Sequence, residues 1–466
     1  MKHLDEEQGR AVNRSRGWRS MPTRGVISRL AIGVAIAGAL GVSACAGASQ
    51  GGSDLEEGPD GMPVRVSRRV RPGISVLLDD SIRLVSGKRV ALITNQTGVD
   101  ERGRRTVDLL ASDPRAVKAG VKLVRLFAPE HGARGTADKA NLADDKDEKT
   151  GLTVYSLYQR STIAPPDSLL KDVDVLVVDL QDIGTRTWTY VGVMLYAMRA
   201  GARRDIPVLV LDRPNPISGA RTEGSILDSA LANPEEPTAT RPANGFSLYP
   251  MPLRHGLTMG EMARMFQAEL KLGTRLTVVP MQSWRRSMWF DQTALPFIRP
   301  SPNMPNLTSA LLYPAVVPFE STNLSVGRGT NEPFQRLGAS WLRADTLARL
   351  LEDLGLTGVR FKSERFTPRA PGDNKFAGRT IPGLRIEVTD RERVQPARVG
   401  AALLWGIARL NRDSLRISEK GWDERMGSSR VREAILGGAD PDAVIDRQLP
   451  AIVAFERDVR KYHLYR

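Results

Sequence analysis

Cysteine and histidine are both scarce in this sequence. The single cysteine, Cys45, excludes a disulfide within the chain. With only four histidines beside it, too few ligands exist for a Cys/His cluster, so no metal site is expected. No G-x-G-x-x-G follows the first apolar strand, and no G-x-x-x-x-G-K-[ST] occurs. Without either phosphate cradle a nucleotide is not expected, and no other cofactor is expected. No Ser/His pair stands out, which argues against an esterase or amidase. No apolar run reaches the about 20 residues that a membrane-spanning helix needs. No Lys/Arg-rich helix or aromatic-interleaved basic stripe is present. That argues against nucleic acid as a partner, although the formal net charge is +14.

What is present is the composition of a globular protein, 41% hydrophobic and 26% charged, at a length that suggests about two domains. Residues 1–44 carry seven Lys/Arg and three Asp/Glu, a net of +4, which leaves +10 on the rest. A surface of that sign suits anionic surroundings such as a cell wall or a membrane face.

Residues 1–45 read as an export signal. Arg24 and Arg29 precede an apolar run from Leu30 to Val42, which has the length of a signal-peptide core. The run ends Val42-Ser43-Ala44-Cys45, which resembles a bacterial lipobox. In such a motif the cysteine becomes the lipidated first residue of the mature protein. The alternative is an ordinary signal peptide cut at a small-residue site. Met21 would open a more typical signal than Met1. Residues 46–72 are Gly/Ser-rich and then charged, and read as a flexible tether with a reach of roughly 25–30 Å. The expected location is outside the cytoplasm, lipid-anchored to a bacterial membrane and facing the periplasm or cell wall.

Residues 73–245 read as a Rossmann-like α/β domain. Four apolar runs, 89–95, 121–127, 173–180 and 207–211, lack polar alternation and are separated by helical stretches near 104–112 and 189–203. Such strands belong to a parallel sheet covered on both faces. Each run leads into polar residues: Asn95; Glu130 and His131; Asp179, Gln181 and Asp182; Asp212, Arg213 and Asn215. Parallel strands bring all four groups to one edge, and ligands bind outside the carboxyl ends of such strands. The densest group runs from Glu130 to Gly135, with an acid, a histidine, two glycines and an arginine in six residues.

Residues 246–466 read as a smaller α+β domain. Thr258 and Glu261 have the spacing of a capping box, opening a helix to about Lys271, so Glu261 is read as structural. A strand over 276–280 follows. Three prolines between Pro300 and Pro305 forbid regular structure there. Phe319 to Thr330 reads as a long polar loop, in which Gly327 and Gly329 flank Arg328 and suit it to present a guanidinium to an anion. Helices near 345–354 and 396–410, a strand over 384–388 and a helical tail complete the unit.

Six motifs then fall in one order. They are T-N-Q-T-G-V-D (94–100), F-A-P-E-H-G-x-R-G (127–135), D-x-Q-D-I-G-x-R (179–186), D-R-P-N-P (212–216), S-P-N-M-P (301–305) and T-N-x-S-x-G-R-G-T (322–330). Together they resemble the NamZ-type exo-β-N-acetylmuramidases, long catalogued as a domain of unknown function. The similarity runs from about Gly73 to the carboxyl end. Gln159 and Arg160 depart from it where many relatives have a glycine. The resemblance implies a Rossmann-like domain joined to a smaller α/β domain, with the active site in the cleft between them. It also implies removal of N-acetylmuramic acid from the non-reducing end of peptidoglycan fragments. A lipid-anchored muropeptide-binding protein without turnover is the alternative.

Glycoside hydrolysis commonly needs an acid for the leaving oxygen and a second group for the cationic transition state. Glu130 is the candidate acid; its other reading is a carboxylate that caps a helix or bonds Arg134. His131 tunes Glu130, binds a substrate hydroxyl, or simply holds the loop. Asp179, Asp182 and Asp212 are candidates for the second group, as base, nucleophile or orienter of the acetamido group; otherwise they pair with Arg186 or Arg213. N-acetylmuramic acid differs from N-acetylglucosamine by a lactyl ether bearing a carboxylate, which a fork-shaped cation would read. Arg328 leads there, with Arg186 and Arg134 next. Asn95, Gln181, Arg213, Asn215, Asn303 and Asn323 are further candidate substrate contacts. Tyr190 and Trp188 either stack on a sugar face or belong to the core.

Overall fold

The strands expected from sequence all form. The structure, a computed structural model, describes residues 69–135, 142–157, 163–237 and 244–466, with only the backbone of a short antiparallel pair, Leu55–Glu57 and Pro63–Arg65, before them. Cys45 and the apolar run preceding it lie outside the described residues.

One sheet has seven strands. From edge to edge it runs Leu276–Val279, Val208–Leu211, Val175–Asp179, Arg89–Thr94, Lys122–Ala128, Thr153–Ser156 and Asp145–Lys146. Every neighbouring pair is parallel except the last. Side chains alternate across a strand. Val90 and Leu92 therefore enter one apolar cluster, and Ala91 and Ile93 another. Both faces are buried, which is why these strands show no polar alternation. Gly73–Asp80 and Thr106–Ser112 cover one face through Ile74, Leu77, Val107 and Leu110. Tyr190–Arg203 and Met259–Glu269 cover the other through Val191, Leu195, Met262 and Phe266.

Two boundaries differ from the sequence reading. The break at residue 245 falls too early. Met259–Glu269 does start on its Thr258–Glu261 capping box, but it packs on the first sheet. Leu276–Val279 then pairs in parallel with Val208–Leu211 and completes that sheet. A lone four-residue strand carries no local mark of the sheet it will join. The tether also ends sooner than residue 72. Val70 is fully buried against Met281, Trp284 and Met288, and its N–H donates to the Thr293 carbonyl at 3.1 Å.

A second, antiparallel sheet has the order Arg336–Gly338, Ile381–Val388, Val359–Phe366, and helices Ala344–Glu352 and Pro396–Asn411 belong to the same layer. Its apolar cluster is continuous with that on the Tyr190–Arg203 face of the first sheet. The two layers thus share one core.

Candidate active site

Thr94 and Asp179 are register partners, as are Ile93 with Phe127 and Val178 with Val210. The four strands end level, and the polar groups after them meet at one edge. Most of these groups are tied to the protein rather than open to a ligand.

Asp179 is the clearest case. The Arg213 fork grips it, Nε to Oδ1 at 2.5 Å and Nη2 to Oδ2 at 2.9 Å. Thr106 donates its hydroxyl to Oδ2, and Arg213 Nη2 also donates to the Val99 carbonyl at 2.7 Å. The two side chains are only 4% and 1% exposed. This pair locks two strand ends and the loop after the first strand. Both side chains, expected at the substrate, are here occupied by each other and by neighbouring protein groups.

Asp212 anchors a helix start. Its Oδ1 accepts from the Arg213 and Gly260 amides at 3.0 and 2.8 Å, and its Oδ2 from Thr258 Oγ1 and the Tyr465 hydroxyl at 2.7 and 2.6 Å. Burial pushes its carboxyl up to about 6. Four bonds leave no acceptor site pointing to a substrate. Asn215 and Gln181 are likewise occupied. Asn215 Nδ2 donates to the Leu257 carbonyl at 3.0 Å; Gln181 Nε2 donates to the Asp182 and Pro214 carbonyls, each at 2.7 Å.

Asp182 faces a histidine the sequence did not suggest. His255 Nδ1 accepts the Leu257 amide at 3.1 Å, which leaves the neutral ring's proton on Nε2, 3.2 Å from Asp182 Oδ2. The same Oδ2 accepts the Gly184 amide at 2.6 Å.

Glu130 differs from these carboxylates in being partly exposed. Thr189 Oγ1 donates to its Oε2 at 2.8 Å, at the start of the Tyr190–Arg203 helix. The Tyr190 hydroxyl donates to the Pro300 carbonyl at 2.7 Å; the Glu130 carbonyl at 3.5 Å is the weaker acceptor. Burial, reinforced by the Glu130 charge, pushes the Tyr190 phenol well up. Tyr190 is therefore a fully buried strut between two loops, not a platform for a sugar. Trp188 packs edge-on against it at 5.3 Å and against Tyr313 at 5.8 Å, so it too is core.

The Glu130 loop is tightly turned. His131 is buried at a left-handed φ of 71°, a conformation that costs a non-glycine residue about 1–2 kcal/mol. Gly135 has φ 65°, and a Cβ there would collide with the Gln96 side chain at 1.9 Å. Gln96 in turn donates to the Arg299 carbonyl at 2.8 Å. The loops after the first and second strands and the proline-rich loop holding buried Asn303 are thus drawn together. Asn95 is buried, and its side chain approaches the Tyr190 phenol closely enough to hold that phenol's pKa down a little against the larger effect of burial. Asn95, Gln96, Phe127 and Arg134 also line a cavity of about 250 Å³. Arg134 ends outside in an ion pair with Glu148 at 2.8 Å, with both partners largely exposed.

The remaining candidates lie farther along the chain. Arg186 is fully buried, and among the described residues no carboxylate pairs with it. It donates to the carbonyls of Phe246, Glu424 and Arg425, the last two at 3.0 and 2.7 Å, and burial pulls its pKa down to about 9. It closes the C-terminal end of the Glu419–Met426 helix, where a cation is favoured. Its bonds to three carbonyls occupy the guanidinium that was a candidate for the lactyl group. Asn323 bridges to the Ser414 carbonyl and the Arg416 amide at 2.8 and 2.9 Å. Arg328 gives both Nε and Nη2 to Glu320 Oε1, at 2.8 and 2.6 Å.

Sequence reasoning missed Thr189 and His255. Thr189 reads in the sequence as an ordinary helix start.

Comparison with known proteins is consistent from residue 90 to residue 465. The family pattern for the N-terminal domain of exo-beta-N-acetylmuramidase NamZ matches residues 90–308, and that for its C-terminal domain matches residues 311–465. The chain is 39% identical over 399 residues to the peptidoglycan beta-N-acetylmuramidase NamZ of Bacillus subtilis, covering 85% of this chain and 92% of that protein. Two crystal structures of DUF1343 family proteins from Bacteroides fragilis share the fold. One has a TM-score of 0.75 at 34% identity and the other 0.66 at 29%; they cover 85% and 86% of this chain and 99% of each neighbour. With both domain patterns matched in order and a relative this similar over nearly its full length, the chain belongs to the exo-β-N-acetylmuramidase NamZ family.

Proposed function

We propose that this protein is an exo-acting β-N-acetylmuramidase that releases N-acetylmuramic acid from the non-reducing end of peptidoglycan fragments, with Glu130 as the general acid. Family membership over both domains supports the activity. The observation that carries the assignment of the acid is the contrast among the strand-end carboxylates. Asp179 and Asp212 are saturated by protein donors, whereas Glu130 is partly exposed and receives one hydroxyl, from Thr189. A general acid has to reach the glycosidic oxygen and must keep an oxygen free for it. Glu130 meets that condition. His131, buried next to it in a strained turn, fixes the loop's direction. Asn95, which lines the cavity beside this loop, is the substrate contact we favour.

The test is hydrolysis of a chromogenic β-N-acetylmuraminide and of MurNAc-GlcNAc by the wild type. A protein that binds these compounds without releasing N-acetylmuramic acid would overturn the enzymatic reading.

The same reading extends to location. The Val42-Ser43-Ala44-Cys45 motif favours export and a lipid anchor at Cys45, which would keep the enzyme beside the wall. Cys45→Ala should move the protein from the membrane fraction to the soluble exported fraction; unchanged fractionation would count against the anchor.

A further inference from the structure

The turn before the Tyr190–Arg203 helix is held from several directions. The Arg186 amide donates to the Leu253 carbonyl at 2.8 Å, and the Trp188 amide to the Thr185 carbonyl at 2.9 Å. Trp188 packs edge-on against both Tyr190 and Tyr313. Arg186, three residues before Thr189, holds the carbonyls of Phe246, Glu424 and Arg425. The residue before Phe246 is Gly245, and it lies flush against Thr189. A Cβ at Gly245 would stand 2.9 Å from Thr189 Cγ2 and 3.2 Å from its Cα and Cβ.

Thr189 departs from what its position predicts. It is the N-cap of the helix, where a threonine hydroxyl ordinarily accepts an amide of the first turn. Its backbone is already helical, with φ −65° and ψ −19°, and the side chain makes no such bond. The hydroxyl donates instead to Glu130 Oε2 at 2.8 Å. A threonine is stiff about χ1, because two heavy atoms branch from its Cβ. Cγ2 against Gly245 and Oγ1 on Glu130 together define one rotamer.

We propose that Thr189, locked by Gly245, is a positioning residue that decides which oxygen of Glu130 gives up the proton. The assignment rests on the reading of Glu130 as the general acid and deepens it. In the protonated acid, Thr189 donates to Oε2, which makes that oxygen the carbonyl one and leaves the proton on Oε1. As the bond from the anomeric carbon to the glycosidic oxygen breaks, its electron pair stays with that oxygen, which takes the proton from Oε1. The leaving sugar departs as an alcohol. Water supplies the hydroxyl at the anomeric carbon, its other proton passes to solvent, and Glu130 is left as a carboxylate. The new charge is shared with Oε2, so the Thr189 bond becomes charge-assisted as the proton leaves. A bond that strengthens along the reaction lowers the barrier, beyond merely holding the loop.

Thr189→Val tests this, because valine keeps the branched shape beside Gly245 but has no donor. Two compounds are compared on the full chain. MurNAc-GlcNAc has a sugar leaving group that needs the proton; a nitrophenyl β-N-acetylmuraminide has a phenolate that leaves with little help. The quantity read is the ratio of kcat on the disaccharide to kcat on the nitrophenyl compound. Thr189→Val should lower that ratio by about 10- to 100-fold, the range of one hydrogen bond to a charged group. Thr189→Ser, which keeps the hydroxyl, should retain most of it. Gly245→Ala, which keeps every donor but crowds Thr189, should lower it too. Equal losses on both compounds in Thr189→Val, or no loss on either, would overturn the positioning role, and an unchanged ratio in Gly245→Ala would overturn the lock. An unchanged ratio in Glu130→Gln would remove the acid itself, and a wild type that hydrolyses neither compound would remove the muramidase reading; either result takes this assignment with it.

Discussion

The Asp179–Arg213 pair gives the sharpest test of which strand-end groups are structural. Replacing Arg213 with Met removes the fork from a carboxylate that is 1% exposed and leaves it with the Thr106 hydroxyl. It also strips the Val99 carbonyl of its donor. Removing one partner of a buried pair costs about 3–5 kcal/mol, because the remaining charge stays in a low-dielectric site. Replacing both partners with apolar residues of similar volume is often close to neutral. Arg213→Met should therefore lose about 3–5 kcal/mol, and Asp179→Leu with Arg213→Met should recover most of it. The assay is urea unfolding at pH 7 followed by both circular dichroism and tryptophan fluorescence. With a slope of about 2 kcal/mol per M, the single variant's midpoint falls by roughly 2 M. A loss under 1 kcal/mol, or a double variant as weak as the single one, would refute the structural role and return Asp179 to the catalytic candidates.

Two further outcomes follow from the same geometry. Burial pushes the Asp212 carboxyl up to about 6 in the fold, from 3.8 ordinarily. The folded state therefore holds that proton more tightly than the unfolded chain. Its stabilisation is full below pH 4 and is lost as pH rises through 6, about 3 kcal/mol at 1.36 kcal/mol per unit. The stability difference between wild type and Asp212→Asn should move toward the variant by about 2 kcal/mol from pH 4 to 7, and a pH-independent difference in urea midpoints would contradict it. Arg186→Lys cannot serve three carbonyls at once, so it should lower stability by about 1–3 kcal/mol for each carbonyl left without a donor. Its preference between muramic acid and glucosamine compounds should stay unchanged, and an altered preference would place Arg186 in the substrate site after all.

Much of the fold was legible in the sequence because its strands are buried on both faces. Runs such as Val175–Asp179 can hardly be anything else. The capping box at Thr258 and the proline-rich loop were equally plain, since they depend on local chemistry alone. The assignment of Leu276–Val279 failed because sheet membership is a tertiary fact. The candidate site was legible in position and less so in roles. Motifs placed the polar residues at one edge, but a motif does not say whether an aspartate is saturated. Asp179 and Asp212 read the same as Glu130 until their partners are seen: Arg213 for one, Tyr465, at the far end of the chain, for the other.

The central claim, that Glu130 delivers the proton in cleavage of a muramic acid glycoside, is tested most directly by following release of N-acetylmuramic acid from MurNAc-GlcNAc by Glu130→Gln. Gln keeps the size and the bond from Thr189 but has no acidic proton to give. The rate should fall by about 10²- to 10⁴-fold, the range for loss of a general acid, with binding of the disaccharide preserved. Release at the wild-type rate would contradict the claim.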